Sequence, residues 1–302
     1  MNVPSSDTFV SLVDSTGPAV VRVEAPRQPG VTGLLWSADG IVLTADHALR
    51  HALRHDAPLR VTVGEHPPRE ARPLGRDPST DLAVLRIDPS DLDPLPAAPS
   101  WRAADSIRVG ELGLALARPG RTVRAAMSLV AVVGDSIQTR GGRSLAPYIE
   151  LDRVLPRGFS VAPVLDLEGE VMGLATAGLS PDTTVLLGAD TVRSSVDAIV
   201  AHGRVPQGYL GVGVSPARLP AQLSDAVGQP RALAVVGLAE DGPAARAGVL
   251  VGDLILSVGT AAVRSPAGLR AQLADRAGQS VSLRLLRGGE TTDLEVIAGE
   301  RQ

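Results

Sequence analysis

"LPRGFSVAPVLDLEGEVMGLATAG" (residues 155–178) decides how the rest of the chain is read. It places Ser160 two residues after a glycine and ahead of a proline and an apolar strand, and "DLEGEV" turns that strand back on itself at Gly169. A serine on a tight turn at the foot of a strand is a setting for a nucleophile. Working outward, the same short, alternating or β-branched runs recur. Toward the N-terminus they are "AVVRVEA" (19–25), "TGLLWS" (32–37), "GIVLTA" (40–45), "LRVTVG" (59–64) and "DLAVLRID" (81–88). Nearer the opening stretch lie "ELGLALA" (111–117), "AAMSLVAVVG" (125–134) and "APYIELD" (146–152), with "TTVLLGA" (183–189) beyond it. A proline-rich passage, "PSDLDPLPAAPSW" (89–101), divides the two groups. Many short strands without intervening helices predict a sandwich or barrel, and the connector predicts two of them.

The first long helical pattern is "DTVRSSVDAIVAHG" (190–203), with Asp190 as N-cap, an apolar stripe of Val192, Val196, Ile199 and Val200, and Gly203 closing it. "RVPQG" then starts a second unit with strands expected near 209–214, 232–238, 253–258, 280–287 and 291–298. Two helical stretches are expected there, "GPAARAG" and "SPAGLRAQLADRAG". The second takes Ser265 as N-cap, Pro266 at the first helical position and Gly278 at its end.

A chain of 302 residues has room for about two domains. Trp, Tyr and Phe number two each, so the cores must be built from Val, Leu, Ala and Ile. The net charge is −4 without any basic run, which argues against nucleic acid as a partner; all 29 basic residues are arginine. The absence of cysteine excludes disulfides, thiol nucleophiles and zinc–thiolate sites, and leaves the compartment open. "MNVPSSDTFVSLVDS" lacks the basic start and apolar core of a signal peptide. No stretch approaches the ~20 apolar residues that span a bilayer, so the chain reads as soluble.

Three of the five histidines, His47, His51 and His55, are spaced by four in "DHALRHALRHD". Two at that spacing on a helix can hold zinc, but the zinc-peptidase form needs a glutamate after the first and Ala48 stands there, so a solvated helical face is expected and no metal site. His47 differs in following the strand "GIVLTAD" directly. Asp81 opens another apolar strand, "TDLAVLRI". A serine hydroxyl needs an imidazole to take its proton, and the imidazole needs a carboxylate to hold its tautomer. His47, Asp81 and Ser160 supply one of each at strand ends, in the chain order of the chymotrypsin-type arrangement.

With these residues in view, the chain resembles a protease of the HtrA/Do type over nearly its whole length. "SADGIVLTADHAL" is similar to that family's histidine segment, "GRDPSTDLAVLRI" to its aspartate segment and "PRGFSVAPVLDLEGEVMGLATAG" to its serine segment. "VPQGYLGVGV" and "DGPAARAGVLVGDLILSVG" are similar to the carboxylate-binding loop and core of a PDZ domain. The resemblance implies a mostly β fold: a chymotrypsin-like double β-barrel over 1–205 (lobes about 1–95 and 96–189, then the helix 190–203), followed by a PDZ domain, a β-sandwich with two helices, over 206–302. It implies a cofactor-free serine endopeptidase of protein quality control that cleaves unfolded polypeptides by acyl transfer. His47 would be the base, Asp81 its orienter and Ser160 the nucleophile, with the N–H groups of Gly158 and Ser160 as oxyanion hole. Asp152 matches an aspartate eight residues before the family's nucleophile. The region "LATAGLSPDTTVLLGA" would line a modest pocket for small or medium apolar side chains. Tyr209, Leu210, Gly211 and Val212 would receive a peptide C-terminus. A homotrimer joined through the N-terminal segment is also implied, where only Phe9 offers an aromatic; relatives are commonly exported or anchored.

The centre of the serine segment departs from the family. Gly-Asn-Ser-Gly-Gly is replaced by Gly158-Phe159-Ser160-Val161-Ala162. Phe159 replaces a side chain outside the chemistry, whereas Leu155 and Pro156 stand where the family has an Asn-Pro run and so reshape the specificity loop. If position 161 is extended, valine is comfortable there. If it needs positive φ, a β-branched residue is an outlier carrying strain of ~1–3 kcal/mol. The second case motivates an alternative: a catalytically impaired chaperone or scaffold that binds unfolded chains or C-terminal peptides without cutting them.

Overall fold

The computed structural model describes residues 5–92, 96–139, 142–274 and 276–300, so residues 93–95 of the proline-rich connector lie outside the described residues. The chain divides into two compact units, one of residues 1–137 with 145–205 and the other of 138–144 with 206–302.

In the first unit, the β-branched and aliphatic runs form strands because such side chains fit a pleated, half-buried surface. β1 (Val20–Glu24), β2 (Val31–Leu35), β3 (Ile41–Ala45), β4 (Leu59–Thr62), β5 (Arg69–Asp77) and β6 (Leu82–Ile87) close a barrel in the order β1-β2-β3-β6-β5-β4. Its interior holds Val21, Val42, Leu49, Val61, Leu85 and their neighbours. β5 is not foreseen by the sequence reading. Pro73 and Gly75 interrupt its pattern, and the register shifts between them. Gly75 is needed there, because a Cβ would sit 2.1 Å from the carbonyl oxygen of Gly203.

β7 (Leu112–Ala117) and β8 (Arg124–Gly134) begin a second barrel; β9 (Ile137–Gln138) and β10 (Ser144–Leu145) pair by themselves. β11 (Tyr148–Leu151), β12 (Pro163–Leu165), β13 (Val171–Thr176) and β14 (Val185–Leu187) complete the barrel in the order β11-β14-β13-β12-β7-β8. Gly169 makes the β12–β13 turn with φ 87°. A shared cluster that includes Leu34, Leu43, Leu82, Leu116, Leu165 and Leu174 joins the two barrels. The expected chymotrypsin-like double barrel is therefore the fold of this unit.

Among the described residues, three α-helices dress the barrels. α1 (Ser6–Thr16) is not foreseen, although Phe9, Leu12, Val13 and Thr16 share one face; Leu12 and Thr16 are buried, and Phe9 packs against the core. α2 (Asp46–Arg54) follows β3 without a break. α3 (Ala189–His202) starts a residue before Asp190, with Gly188 as its N-cap, and ends at Gly203 with φ 74°. Its buried stripe is Val192, Ser195, Val196 and Ile199, whereas Val200 is exposed.

In the second unit β15 (Gly208–Tyr209), β16 (Val212–Arg218), β17 (Arg231–Leu238), β18 (Leu254–Val258), β19 (Ala261–Ala262), β20 (Ser280–Arg287), β21 (Glu290–Ile297) and β22 (Gly299–Glu300) are present. The main sheet runs β16-β17-β18-β20-β21, with β19 on β18, while β15 pairs with β22. Its helical segments are α4 (Ala221–Val227), α5 (Pro243–Arg246) and α6 (Pro266–Leu273), so α4 adds a third to the two expected. Ser265 caps α6 by accepting the Gly268 N–H at 3.0 Å, but the helix stops at Leu273, short of Gly278. The buried Asp253 accepts two bonds of 2.7 Å from Arg287 and one of 2.8 Å from the Leu250 N–H.

Candidate active site

The register of the first barrel assembles half of the site. β3 and β6 run antiparallel with Ala45 opposite Leu82, so the residue after one strand meets the residue before the other. The Asp46 N–H donates to the Asp81 carbonyl at 3.0 Å, and the His47 N–H donates to the Asp81 carboxylate at 2.9 Å. A carboxylate from a neighbouring strand thus satisfies one of the free amides at the start of α2, at its positive end. The His47 ring closes the same contact, its Nδ1 lying 2.8 Å from each carboxylate oxygen. Asp81 also accepts the Thr176 hydroxyl at 2.6 Å, and that hydroxyl in turn accepts the Gly178 N–H at 3.0 Å. Gly178 packs on the carboxylate so closely that a Cβ there would lie 2.2 Å from Asp81 Oδ2.

Two further acids hold this corner. The Asp77 carboxylate accepts from the Ser79 N–H and hydroxyl, from Thr80 and from Ser195 on α3, which fixes the turn leading into Asp81. Asp46 is fully buried and bonded to Arg76, with Oδ1 2.6 Å from Arg76 Nε. The hydrogen bond to Asp81 raises the His47 pKa above its ordinary 6.5; burial opposes it, and the charges of Asp81 and Asp46 add to the rise. Imidazolium is therefore favoured here relative to a free histidine, while the side chain stays 41% exposed and reachable. His51 and His55 are exposed, with ring centroids 4.6 Å apart. No group of three or more metal-ligating side chains occurs among the described residues.

The second barrel supplies the serine loop. Ser160 and His47 line one cavity of about 340 Å³, together with residues 154–159, Ala175–Ala177 and Thr184. Part of the expected "LATAGLSPDTTVLLGA" wall is therefore in place, and it offers small side chains. No hydrogen bond joins the Ser160 hydroxyl to His47; such contacts are commonly loose without substrate. Gly158 has φ 91°, a conformation glycine adopts without a Cβ penalty. Among the described residues, neither the Gly158 nor the Ser160 N–H donates to a protein acceptor, so both remain free. Phe159 is buried among Leu155, Ala162, Val164 and Met172, and anchors the loop in the barrel core. Asp152 lies outside the cavity, bonded to the Leu129 N–H and to Arg153.

Of the two backbone conformations considered for position 161, Val161 takes the positive-φ one. Its φ is 63°, and its side chain is completely buried in the cluster between the barrels. The backbone there is left-handed, the case in which valine carries strain.

In the second unit, Gly211 has φ 77° and Leu210 is buried. The Leu210 and Gly211 carbonyls accept the Ala244 and Ala239 N–H groups, both at 2.8 Å, which holds this loop against the start of α5. Tyr209 is exposed, and Val212 begins β16, an edge strand of the main sheet.

Comparison with known proteins agrees with this geometry. Residues 31–174 match the trypsin-like peptidase domain and residues 208–297 the PDZ domain, together most of the chain. A probable periplasmic serine endoprotease, DegP-like, of Brucella suis is 29% identical over 282 residues, covering 90% of this chain and 53% of that protein. The chain pairs a trypsin-like peptidase domain with a PDZ domain, and the proteins it resembles are HtrA/DegP-type serine endoproteases. A DegP-like relative of Pseudomonas fulva is 28% identical over 294 residues, 91% of this chain and 59% of that one. The chain thus spans little more than half the length of the curated relatives it matches. Among solved structures, the HtrA-type protease AlgW with a tripeptide gives a TM-score of 0.72 at 29% identity, covering 99% of this chain and 98% of that one. The serine endoprotease of Yersinia pestis gives 0.73 at 25% identity and full coverage of both. No helix among the described residues is long and apolar enough to cross a membrane.

Sequence reasoning missed Thr176, Gly178, Asp77 and Asp46, all of which fix the HtrA-like histidine and aspartate segments. Thr176 carried a usable signal: a polar residue inside the otherwise apolar run "VMGLATA", since a buried polar side chain is the informative one.

Proposed function

We propose that the chain is an endopeptidase of protein quality control that cleaves unfolded polypeptides through Ser160. The observation that carries this reading is the His47 ring, gripped through Nδ1 by Asp81 and facing the cavity that Ser160 also lines. With Nδ1 as the donor to Asp81, Nε2 is left as the base. Ser160 Oγ attacks the scissile carbonyl carbon and passes its proton to Nε2, and the negative oxygen takes the free N–H groups of Gly158 and Ser160. The C–N bond breaks as His47 returns the proton to the leaving amine, and water then hydrolyses the acyl-serine by the same route. Ala175, Ala177 and Thr184 favour small or medium apolar side chains on the acyl side. Residues 1–205 act as the peptidase and 206–302 as the PDZ domain. There the amides at Tyr209, Leu210 and Gly211 take a chain-terminal carboxylate, and the peptide adds as a strand beside β16 from Val212 onward. The edge position of β16 supports that role.

Labelling by a fluorophosphonate probe tests the reading without knowledge of the substrate. Labelling of the native protein that disappears in Ser160→Ala and in His47→Ala is expected. Absence of labelling, with or without a C-terminal peptide, would move the assignment to a binding protein that uses the same fold.

A further inference from the structure

Arg118 is a nearly buried cation, 8% exposed, and no carboxylate among the described residues pairs with it. One terminal nitrogen donates to the Gly64 carbonyl at 2.8 Å, while Nε is buried without a partner. An unpaired buried charge is costly unless something else supplies the opposite charge. Burial pulls the guanidinium below its ordinary value, and only Glu65 acts in the other direction. Arg118 forms part of the wall of a cavity of about 400 Å³. The other charged or titratable groups in that wall are Arg22, Glu24, Glu65, His66 and Arg121. Glu24 is already engaged, 2.7 Å from Arg22, whose own Nε is also buried without a partner. Glu65 and Arg121 stand exposed at the surface. The cavity wall therefore holds three arginines, two of which, Arg118 and Arg22, carry a buried Nε–H that no protein atom satisfies.

This cavity reaches the serine loop by a short route. The Arg118 N–H donates to the Thr32 hydroxyl at 2.9 Å, and that hydroxyl donates to the Gly158 carbonyl. Pro119 packs on Gly158 so tightly that a Cβ there would lie 2.7 Å from the proline ring. The cavity shares no lining residue with the one formed by residues 154–160 and Ala175–Ala177. Gly158 thus lines the cavity shared by His47 and Ser160, and its carbonyl is tied through Thr32 to the backbone of Arg118, a residue that lines the other cavity.

We propose that the Arg118 cavity binds the side-chain carboxylate of an acidic residue in the leaving-group half of the polypeptide, with Arg118 and Arg121 supplying the counter-charge. The assignment to the leaving-group half rests on the proposed peptidase function; carboxylate binding does not. A charge-assisted bond to a desolvated guanidinium discriminates an acid from its amide by about tenfold.

The test uses the full chain carrying Ser160→Ala, so that binding is read without cleavage. The Nε–H resonance of Arg118, assigned by its loss in Arg118→Gln, is followed during titration with N-acetyl-Ala-Glu-amide or N-acetyl-Ala-Gln-amide. A saturable shift with the glutamate peptide, about tenfold weaker with the glutamine peptide, is expected. Arg121→Ser, at the exposed rim, should weaken the glutamate response, and Glu65→Gln should strengthen it. Equal responses to the two peptides, or none, would overturn the proposal. Native protein digesting a peptide library should then show Asp and Glu enriched among the first residues after the cut, and the enrichment should fall in Arg121→Ser. Cleavage without enrichment would overturn the leaving-group assignment. Absence of cleavage would count against the peptidase reading and that assignment together, while the Arg118 titration would still decide whether the cavity takes a carboxylate.

Discussion

Val161→Gly separates two quantities that valine couples at this position. The side chain is fully buried, so its removal forfeits about 1.5–3 kcal/mol of burial. Glycine adds about 0.5–1 kcal/mol of backbone entropy cost. With φ at 63°, valine also carries strain of about 1–3 kcal/mol that glycine would release. The net expectation is a mild destabilisation of about 1 kcal/mol, read as a lower urea midpoint at unchanged slope. Reactivity should move the other way. The strain weights the serine loop toward conformations in which Ser160 and the Gly158 amide are misaligned, so its release should speed fluorophosphonate labelling about tenfold, equivalent to about 1.4 kcal/mol. The paired measurement is denaturation and labelling rate on the same preparations. A loss of 3–4 kcal/mol with an unchanged labelling rate would refute the reasoning, because it would mean that the left-handed valine costs nothing and that the loop is already fixed.

Other expectations follow from the same residues. Because the bond to Asp81 raises the His47 pKa, activity should climb with pH along a limb centred above 6.5; Asp81→Asn should lower the rate by about 10⁴. The linked stability has the opposite course: it is fully present below the unfolded value near 6.5 and is lost as pH rises through the folded one, a trend that thermal melts across pH 5–9 should show. Thr176→Val removes the 2.6 Å bond to Asp81 and should cost about tenfold in kcat while the melting temperature falls only slightly. Gly178→Ala forces a methyl to 2.2 Å from the same carboxylate and should depress both readouts. In the PDZ unit, Arg287→Met leaves Asp253 buried and unpaired, and should lower stability by roughly 3 kcal/mol at neutral pH. The Arg287 bond also holds the Asp253 pKa low, so this stability should be present above the ordinary carboxylate value of 3.8 and fade as pH falls through the folded one.

The parts of the molecule legible in the sequence are those where one local signal suffices. Alternation marked the strands around His47, Asp81 and Ser160, and Gly203 and Ser265 marked helix ends because their chemistry is local. β5 escaped because Pro73 and Gly75 break its pattern for a reason that is tertiary: the strand must bulge and let the Gly203 carbonyl approach. α1 escaped because its face spans only three turns and packs against a core made of distant strands. Of the site, the three side chains carrying the proposed chemistry could be named from strand ends. Thr176 and Gly178 could not be placed, because their importance arises only when β13 is brought against Asp81 from the other barrel. The conformation of Val161 was likewise undecidable from its neighbours, since glycine was the only cue and it was missing.

Two non-glycine residues of the site, Asp81 at φ 62° and Val161 at φ 63°, share a left-handed backbone, and they bear it differently. Aspartate visits that region more readily than other non-glycine residues, and here its carboxylate is repaid by the His47 N–H, the imidazole and the Thr176 hydroxyl. Those bonds exist only in the assembled site, so conformation and function at Asp81 stabilise each other. Val161 makes one backbone bond, its N–H to the Ala175 carbonyl at 2.6 Å, and otherwise contributes apolar packing between the barrels. Packing holds a side chain in place but does not favour a left-handed φ over an extended one. Beyond that one backbone bond, the strained valine is therefore kept by the rigidity of the two barrels around it. Loosening that shared cluster, for example with Leu116→Ala, should slow fluorophosphonate labelling by more than the fraction of protein it unfolds. Proportional loss of labelling and folded protein would show instead that the serine loop keeps its shape without the packing.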